Sequence, residues 1–147
     1  MAHLNRDQPQ LSACLDSNVL ISAIAFGGRP LKVMERALER DFQIVTSLHI
    51  FEEVRRNLTG KLGLSSRYVD RSLDDLLKVS SVFVPSGKLK FIEHEADNLV
   101  LEVALMGWAN VLVTGDRKHL LPISRFGDLI IEPPSKFLAR LDCLSKA

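Results

Sequence analysis

The segment Leu11-Ser12-Ala13-Cys14-Leu15-Asp16-Ser17-Asn18 places a short, mostly apolar run directly before three polar residues. Such a run is typical of a strand that is buried on both faces and ends at a loop. We therefore predict a first strand over 11–15, with Asp16 at its carboxyl end. In open parallel sheets, binding sites form beyond the carboxyl ends of the strands. This segment therefore favours a parallel sheet and predicts a functional site near Asp16.

Strand and helix patterns alternate along the rest of the chain. Short apolar runs predict four further strands, over 42–46, 81–84, 110–114 and 128–132. Helical spacing and capping residues predict helices that begin at Pro30, at Ser47 and at Ser65 or Ser66, and helices over 95–106 and 135–142. Parallel strands need crossover connections, which helices usually supply. The sequence thus predicts an α/β fold in which helices cover both faces of a mostly parallel sheet of about five strands.

Length and composition are those of an ordinary globular domain. The chain has 147 residues, of which 46% are apolar and 25% charged. We expect one domain over 11–142, a flexible leader over 1–10 and a C-terminal tail over 143–147. The formal net charge of +1 neither supports nor excludes binding to RNA, because any nucleic-acid contact would have to come from local basic patches.

Several features predict a cytoplasmic protein. The longest apolar stretches are far shorter than the roughly 18 to 20 residues of a membrane-spanning helix, so no membrane span is expected. The leader lacks the apolar region of a secretory signal. Cys14 and Cys143 have no metal-binding spacing, and we expect both to be reduced packing residues.

Two acidic residues follow predicted strands directly. Asp16 follows the first strand and Asp116 the strand over 110–114, so the two carboxylates meet in one crevice if these strands are neighbours. Carboxylates about 4 Å apart repel by roughly 4 kcal/mol at an effective dielectric constant of 20, and a cluster of them requires protonation or a cation. Oxygen ligands select Mg²⁺ or Mn²⁺, and such ions promote phosphodiester hydrolysis.

These acids lie in segments that resemble the motifs of a known family. Leu15-Asp16-Ser17-Asn18-Val19-Leu20 resembles the opening motif of PIN domains. Later segments are similar to the family's second, third and fourth acidic motifs: 47–58 with Glu52-Glu53, Ala96-Asp97-Asn98 continuing to Ala104, and Val113-Thr114-Gly115-Asp116. The four segments occur in the family's order and cover nearly all of 11–142.

The resemblance implies a three-layer α/β/α fold and a metal-dependent ribonuclease that hydrolyses RNA with Mg²⁺ or Mn²⁺. It implies that the metal ligands and catalytic residues are Asp16, Glu53, Asp97 and Asp116. The supporting polar residues would be Ser17, Asn18, Asn98 and Thr114. It further implies a toxin of a bacterial toxin–antitoxin pair, with RNA as substrate, a cognate antitoxin as partner and a homodimeric state.

Some residue assignments stay open at this point. Glu52 competes with Glu53 in the second motif. Many family members carry another acid just before the third motif, where this chain has Glu93 and Glu95. Structural roles compete as well, because Asp16 suits a turn, Asp97 suits the first turn of a helix, and Asp116 suits the N-cap of a helix over 117–121. Each acid alone is therefore weak evidence for a metal site, whereas the four acids together are informative.

Histidines and basic residues are less informative. His49, His94 and His119 lack the spacing of metal ligands and are interpreted as surface or capping residues, although a place near the site stays open for His119. A groove for RNA phosphates and a plain solvated surface both remain open for the basic residues Arg55, Arg56, Lys61, Arg67, Lys88, Lys90, Arg117 and Lys118.

Two other functions compete with the ribonuclease. The first is a catalytically silent module that binds RNA or a protein partner, which the altered stretch before Asp97 favours. The second is a phosphoryl-accepting receiver domain, which also carries acids at strand ends. A receiver needs an acidic pair after the first strand, and Asp16-Ser17 supplies one acid only.

Overall fold

The computed structural model describes residues 10–145, so residues 1–9 of the leader predicted over 1–10 and the last two residues of the predicted tail lie outside it. The strands are β1 (Ser12–Leu15), β2 (Gln43–Thr46), β3 (Ser80–Val82), β4 (Val111–Val113), β5 (Arg125–Phe126) and β6 (Leu129–Glu132). The helices are α1 (Ser17–Ala25), α2 (Gly28–Leu38), α3 (Leu48–Arg56), α4 (Ser66–Leu77), α5 (Glu95–Met106) and α6 (Pro134–Ser145). A π-helical turn, Asn57–Lys61, extends α3, and a 3₁₀ turn, Leu121–Ile123, precedes β5.

The six strands form one sheet in the order β3-β2-β1-β4-β6-β5. Every pairing is parallel except that of β5 with β6. Helix α5 packs on β1, β2 and β4, whereas α1, α2, α3, α4 and α6 pack against one another. The predicted α/β/α architecture with a mostly parallel sheet is confirmed.

The two central strands are the most buried part of the sheet. Ala13, Cys14 and Leu15 of β1 are at most 1% exposed, and all of β4 is fully buried. Strands covered on both faces need apolar side chains pointing both ways. This requirement explains why both segments read as continuous apolar runs and why both were predicted.

The sheet has one more strand than the sequence predicted. The additional strand, β5, has two residues, Arg125 and Phe126, and pairs antiparallel with β6 at the edge of the sheet. Two residues are too few to show a period, and one of them is charged. The predicted sheet of about five mostly parallel strands is confirmed, and β5 adds one short strand at its edge.

The apolar segment after Asn18 forms a helix for which the sequence analysis gave no assignment. Helix α1 begins directly after β1, and the carboxylate of Asp16 caps it by accepting a hydrogen bond from the backbone N–H of Ser17 at 2.8 Å. Val19, Leu20, Ala23 and Ile24 of this helix are buried. The strand and its following helix are therefore joined at the carboxylate of Asp16.

Three smaller expectations were wrong. Residues 117–121 form turns and no α-helix, and the 3₁₀ turn begins at Leu121. The last helix runs from Pro134 to Ser145, so residues 143–145 of the predicted tail are helical. Cys14 is buried as expected, but Cys143 is exposed on α6 and does not pack in the core.

Within residues 10–145, no helix is long and apolar enough to cross a membrane.

Gly107 sets the distance between α5 and the sheet. It ends α5, and a methyl group at this position would overlap the side chain of Val45 and approach Cε2 of Phe83 to 3.0 Å. Because α5 carries Asp97 in its first turn, this close approach also positions one of the predicted site residues.

We expect Gly107→Ala to lower the free energy of unfolding by about 1–3 kcal/mol. The added methyl group would overlap the buried side chain of Val45 in β2, so the helix or the strand would have to shift. Urea unfolding measures the change. Gly60→Ala is the matched control, since nothing lies within 4 Å of the added Cβ and its backbone is helical. The control should leave stability unchanged or raise it by about 0.5–1 kcal/mol. Equal stability of the two variants would contradict this account of the helix–sheet contact.

Candidate active site

The candidate site lies where the strand order of the sheet reverses. Strands β1 and β4 are neighbours, with Leu15 opposite Val113, so Asp16 and Asp116 leave the same edge of the sheet side by side. The buried hydroxyl of Thr114 donates to Oδ2 of Asp16 at 2.7 Å and accepts from the backbone N–H of Asp116 at 3.0 Å. One hydroxyl therefore joins the two acidic segments. A crevice of this kind is the usual binding place in open α/β sheets.

A second link runs through Asn18. Its amide nitrogen donates to Oδ2 of Asp16 at 3.2 Å, and its amide oxygen accepts from the backbone N–H of Gly115 at 3.2 Å. Ser17 is buried beside them and contributes its backbone N–H to Asp16. Three of the predicted supporting residues, Ser17, Asn18 and Thr114, thus surround the same carboxylate.

Asp16 is 6% exposed, and this burial raises the pKa of its carboxyl to about 6. The hydrogen bonds from Thr114 and Ser17 act in the opposite direction and lower the pKa. The negative charges of Asp97 and Glu53 raise the pKa further. Residues from α5 and α3 therefore lie close enough to Asp16 to act on its ionisation.

Asp116 uses its two carboxylate oxygens differently. Oδ1 accepts the backbone N–H groups of Lys118 at 3.0 Å and His119 at 3.2 Å, which caps the turn that follows. Oδ2 lies 3.3 Å from Nδ1 of His119. Partial burial raises the pKa of Asp116, but these hydrogen bonds and the proximity of His119 outweigh burial and hold the pKa below its usual value. Asp116 therefore favours the charged form.

Asp97 lies in the first turn of α5 and is mostly buried. Burial raises the pKa of its carboxyl, and the charge of Asp116 raises it further. His119 and His94 lower the pKa because a positive imidazole favours the carboxylate. Asp97 and Asp116, which are separated by α5 and β4 in the sequence, therefore belong to one electrostatic cluster.

Glu53 reaches the cluster from α3. Ser47 caps this helix immediately after β2, and β2 is the other neighbour of β1. Glu53 is half-buried and its charge acts on both Asp16 and Asp97, whereas Glu52 is exposed and acts on neither. The geometry therefore favours Glu53 over Glu52 as the member of the site.

Asn98, Glu93 and Glu95, which lie near the start of α5, do not take part in the cluster of acids. The side chain of Asn98 is buried, and its oxygen accepts from the backbone N–H groups of Phe91 at 3.0 Å and Ile92 at 2.8 Å. Its nitrogen donates to the backbone oxygen of Ile92 at 2.6 Å. The side chain of Asn98 thus holds the preceding loop, and its hydrogen bonds go to the backbone of that loop and to none of the four acids. Glu93 and Glu95 are exposed.

Two histidines that the sequence analysis placed on the surface or at caps lie at the site. The rings of His94 and His119 are 3.8 Å apart between centroids. Nδ1 of His119 lies 3.5 Å from Oδ2 of Asp97, in addition to its contact with Asp116. The sequence gives no short metal-ligand spacing that would indicate this pair, because the two histidines are 25 residues apart and only the fold brings them together. Of the two interpretations left open for His119, the structure favours a place near the site, since His119 is half-buried between two carboxylates.

The sequence model of the PIN-domain family matches residues 12–118, which is more than half of this chain. The chain belongs to the PIN-domain family. One chain of the crystal structure of VapBC2 from Rickettsia felis bound to a DNA fragment from their promoter has the same fold. The match has a TM-score of 0.60 and 20% identity, and it covers 84% of this chain and 98% of that chain. No curated protein matches the sequence.

PIN domains are generally nucleases, and they typically use divalent metal ions. The donor set of this PIN domain suits such an ion, because the charges of Asp97 and Glu53 act on Asp16 and those of Asp116 and Glu53 act on Asp97. Within the described residues the four carboxylates do not form a group with all ligand atoms inside 4.8 Å, so binding an ion would require side-chain movement. Among residues 10–145, no lysine or arginine forms an ion pair with any of these four carboxylates. Their negative charge therefore lacks a fixed cationic partner other than histidine.

A groove of about 510 Å³ opens beside the acids of this PIN domain. Asn18 and Gly115 form its border with the site, and Arg29 and Arg117 line it. Among the basic residues considered from the sequence, Arg117 is the one that lines this groove, whereas Arg55 pairs with Asp70 at 2.9 Å. Arg29 was not among those candidates because it follows a glycine pair in a stretch that shows no basic cluster.

The ionisation of Asp16 predicts a measurable pH effect on stability. Its pKa is about 6 in the folded protein and about 3.8 when it is unperturbed. The stability that protonated Asp16 provides is fully present below pH 3.8 and is lost as the pH rises through about 6. We therefore expect Asp16→Asn to stabilise the metal-free protein at pH 7.5 by roughly 3 kcal/mol, and to lose this advantage near pH 4.

Urea unfolding in the presence of a chelator at the two pH values measures this effect. Asp74→Asn is the control, since Asp74 is an exposed acid of α4. It should change stability little at either pH. A gain for Asp16→Asn that is the same at both pH values, or a loss at pH 7.5, would show that the Asp16 carboxylate is not destabilised by its surroundings.

Proposed function

We propose that this PIN domain is a metal-dependent endoribonuclease that hydrolyses RNA phosphodiester bonds with Mg²⁺ or Mn²⁺. The observation that carries the proposal is the convergence of carboxylates from four separate segments on one crevice, where Thr114 joins the segments of Asp16 and Asp116 and His119 lies between Asp97 and Asp116. These carboxylates belong to Asp16, Glu53, Asp97 and Asp116. Membership of a family of nucleases supports hydrolysis of a phosphodiester bond.

A bound divalent ion would supply positive charge at the scissile phosphate and lower the pKa of a water molecule. The residues of the chain do the positioning. Thr114 and Asn18 both donate to Oδ2 of Asp16, and the backbone N–H of Ser17 donates to Oδ1, so both oxygens of this carboxylate are oriented. The cap formed by Oδ1 of Asp116 fixes that side chain and directs Oδ2 toward the crevice. Glu53 and Asp97 approach from α3 and α5.

The two arginines in the groove beside the acids support the proposal that the substrate is a polyanion. Within residues 10–145, neither Arg29 nor Arg117 forms an ion pair with an acidic residue. Guanidinium groups bind phosphate through paired hydrogen bonds. With a formal net charge of +1, the protein depends on such local positive groups to attract a nucleic acid. We propose that the RNA strand runs from this groove across the acidic crevice.

Substitution of the four acids tests the activity. We expect Asp16→Asn, Glu53→Gln, Asp97→Asn and Asp116→Asn each to lower the rate of RNA cleavage with Mn²⁺ by about 100-fold or more, which corresponds to about 3 kcal/mol in the barrier. Cleavage of a circular RNA measures endonuclease activity and excludes attack from the ends. Circular dichroism verifies that each variant is folded.

The matched control is Glu52→Gln, because Glu52 neighbours Glu53 and is exposed. It should cleave at nearly the wild-type rate. Full activity of Asp16→Asn or Asp116→Asn would contradict the assignment. A wild-type protein that binds RNA equally with and without Mn²⁺ and cleaves none of it would instead be the silent RNA-binding module.

Removal of the groove arginines should weaken substrate binding and leave the chemical step intact. We expect Arg29→Ala and Arg117→Ala to raise KM for RNA with little change in kcat, and each to reduce the slope of log KM against log salt concentration by about one. Arg67→Ala, on the exposed surface of α4, is the control and should change neither quantity. A fall in kcat at constant KM would place the arginines outside the RNA path.

We also propose that the chain is the toxin of a toxin–antitoxin pair that acts in the cytoplasm, with a cognate antitoxin as partner and a homodimeric state. The support is the shared fold with a chain of VapBC2, whose crystal structure contains promoter DNA. Co-purification with the product of a neighbouring gene and the molar mass by light scattering test both partners. A monomer that retains no such product would contradict this assignment.

A further inference from the structure

The site contains a second group of possible metal ligands that includes two imidazoles. One ligand atom each from His94, Asp97 and His119 lies within 4.8 Å of the other two. Asp97 is the one member of the four proposed catalytic acids in this group. The other two ligands are the histidines that the ribonuclease proposal leaves without a role.

The three side chains come from different segments and converge on one point. His94 is exposed directly before α5, Asp97 lies one turn into that helix, and His119 lies in the turn after β4. Ligands of a single zinc ion, each about 2.0–2.2 Å from the metal, lie about 3–3.5 Å from one another. The present separations of up to 4.8 Å require side-chain rotation to close on one ion, and the exposure of His94 permits such rotation.

We propose that His94, Asp97 and His119 form a binding site for a transition-metal ion of the Zn²⁺, Co²⁺ or Ni²⁺ type. Imidazole nitrogen prefers these borderline ions, whereas Mg²⁺ prefers oxygen ligands and retains its water molecules. The nitrogen donors therefore distinguish this site from the carboxylate crevice. Oδ2 of Asp116, 3.3 Å from His119, would orient the imidazole when the ion is bound.

An ion pair between His119 and the two carboxylates is the simpler explanation of the same contacts. It accounts for His119 but gives no reason for the position of His94, whose ring lies 3.8 Å from that of His119 and could point to solvent. Two like-charged imidazolium rings at this distance would repel each other. A shared metal ion requires both rings to be neutral and close together.

The test is the affinity of the metal-free protein for Zn²⁺ by isothermal titration calorimetry, with Mg²⁺ titrated in parallel. We expect His94→Ala and His119→Ala each to lower the affinity for Zn²⁺ by about 10- to 100-fold and to leave the response to Mg²⁺ unchanged. Visible absorption of the Co²⁺-loaded protein should lose intensity in both variants. These readouts need no RNA cleavage, so they stand or fall separately from the proposed nuclease.

Two controls address other zinc ligands and misfolding. Cys143→Ser removes an exposed thiol far along the chain and should leave the affinity for Zn²⁺ unchanged. His94→Gln, at an exposed position, retains the fold if His119→Ala does not, and it should lose Zn²⁺ affinity to the same extent as His94→Ala. Wild-type affinity in the His94 variants would overturn the proposal. Anomalous diffraction that placed Zn²⁺ on the carboxylates of Asp16 and Asp116 alone would also overturn it.

Discussion

The organisation of this protein depends on a carboxylate that is buried at the carboxyl end of a central strand. Asp16 is 6% exposed, and three groups contact it: the backbone N–H of Ser17, the hydroxyl of Thr114 and the amide of Asn18. These contacts connect β1 to α1 and to the segment after β4. Because burial and neighbouring negative charges both raise the pKa of Asp16, the fold supports this charge at a cost in stability. Proteins usually retain such a cost at sites where the charge has a function.

The topology of the sheet explains why the acids meet. The connection that leads from β3 at one edge of the sheet to β4 beside β1 contains α5, and it places β4 on the opposite side of β1 from β2. The segments after β1 and β4 consequently leave the sheet side by side at the point where the strand order reverses, which is where a crevice forms in open α/β sheets. Asp97 and Glu53 approach this crevice from helices that pack on either side. The strand order, and not proximity in the sequence, therefore determines which carboxylates interact.

Much of this arrangement could be predicted because the informative features are local. The central strands are apolar on both faces, Asp16 and Asp116 follow them directly, and Ser47 caps the helix that carries Glu53. Other features are not local and were missed. The close, tilted contact of the rings of His94 and His119 depends on the path of α5 relative to β4, and no spacing in the sequence encodes it. The two-residue strand β5 likewise depends on tertiary contacts. So does the pairing of buried Glu132 with the partly exposed Arg140, at 2.8 and 2.9 Å.

Asn98 shows the limit of inference from a motif. It follows Asp97 in the segment that resembles the third PIN motif, yet its amide makes all three of its hydrogen bonds to the backbone of the loop at residues 91–92. It therefore acts on the loop that leads to His94 and not on the carboxylates. A residue that accompanies an acid in a motif can thus contribute by fixing the backbone on which a different side chain depends.

For Asp16 and Asp116, the structural and the functional interpretations of the sequence are compatible. Both residues cap the backbone that follows them, Asp16 at the start of α1 and Asp116 at the turn that contains His119. In each case Oδ1 accepts the backbone hydrogen bonds, and Oδ2 is left for side chains or ligands at the crevice. Capping restricts the rotation of the carboxylate, so the second oxygen is held in place before anything binds. A site whose ligands are oriented in advance loses less conformational entropy on binding than one built from freely rotating side chains. The cap is therefore part of the binding machinery, which explains why a short motif at the end of a strand is informative about both fold and chemistry.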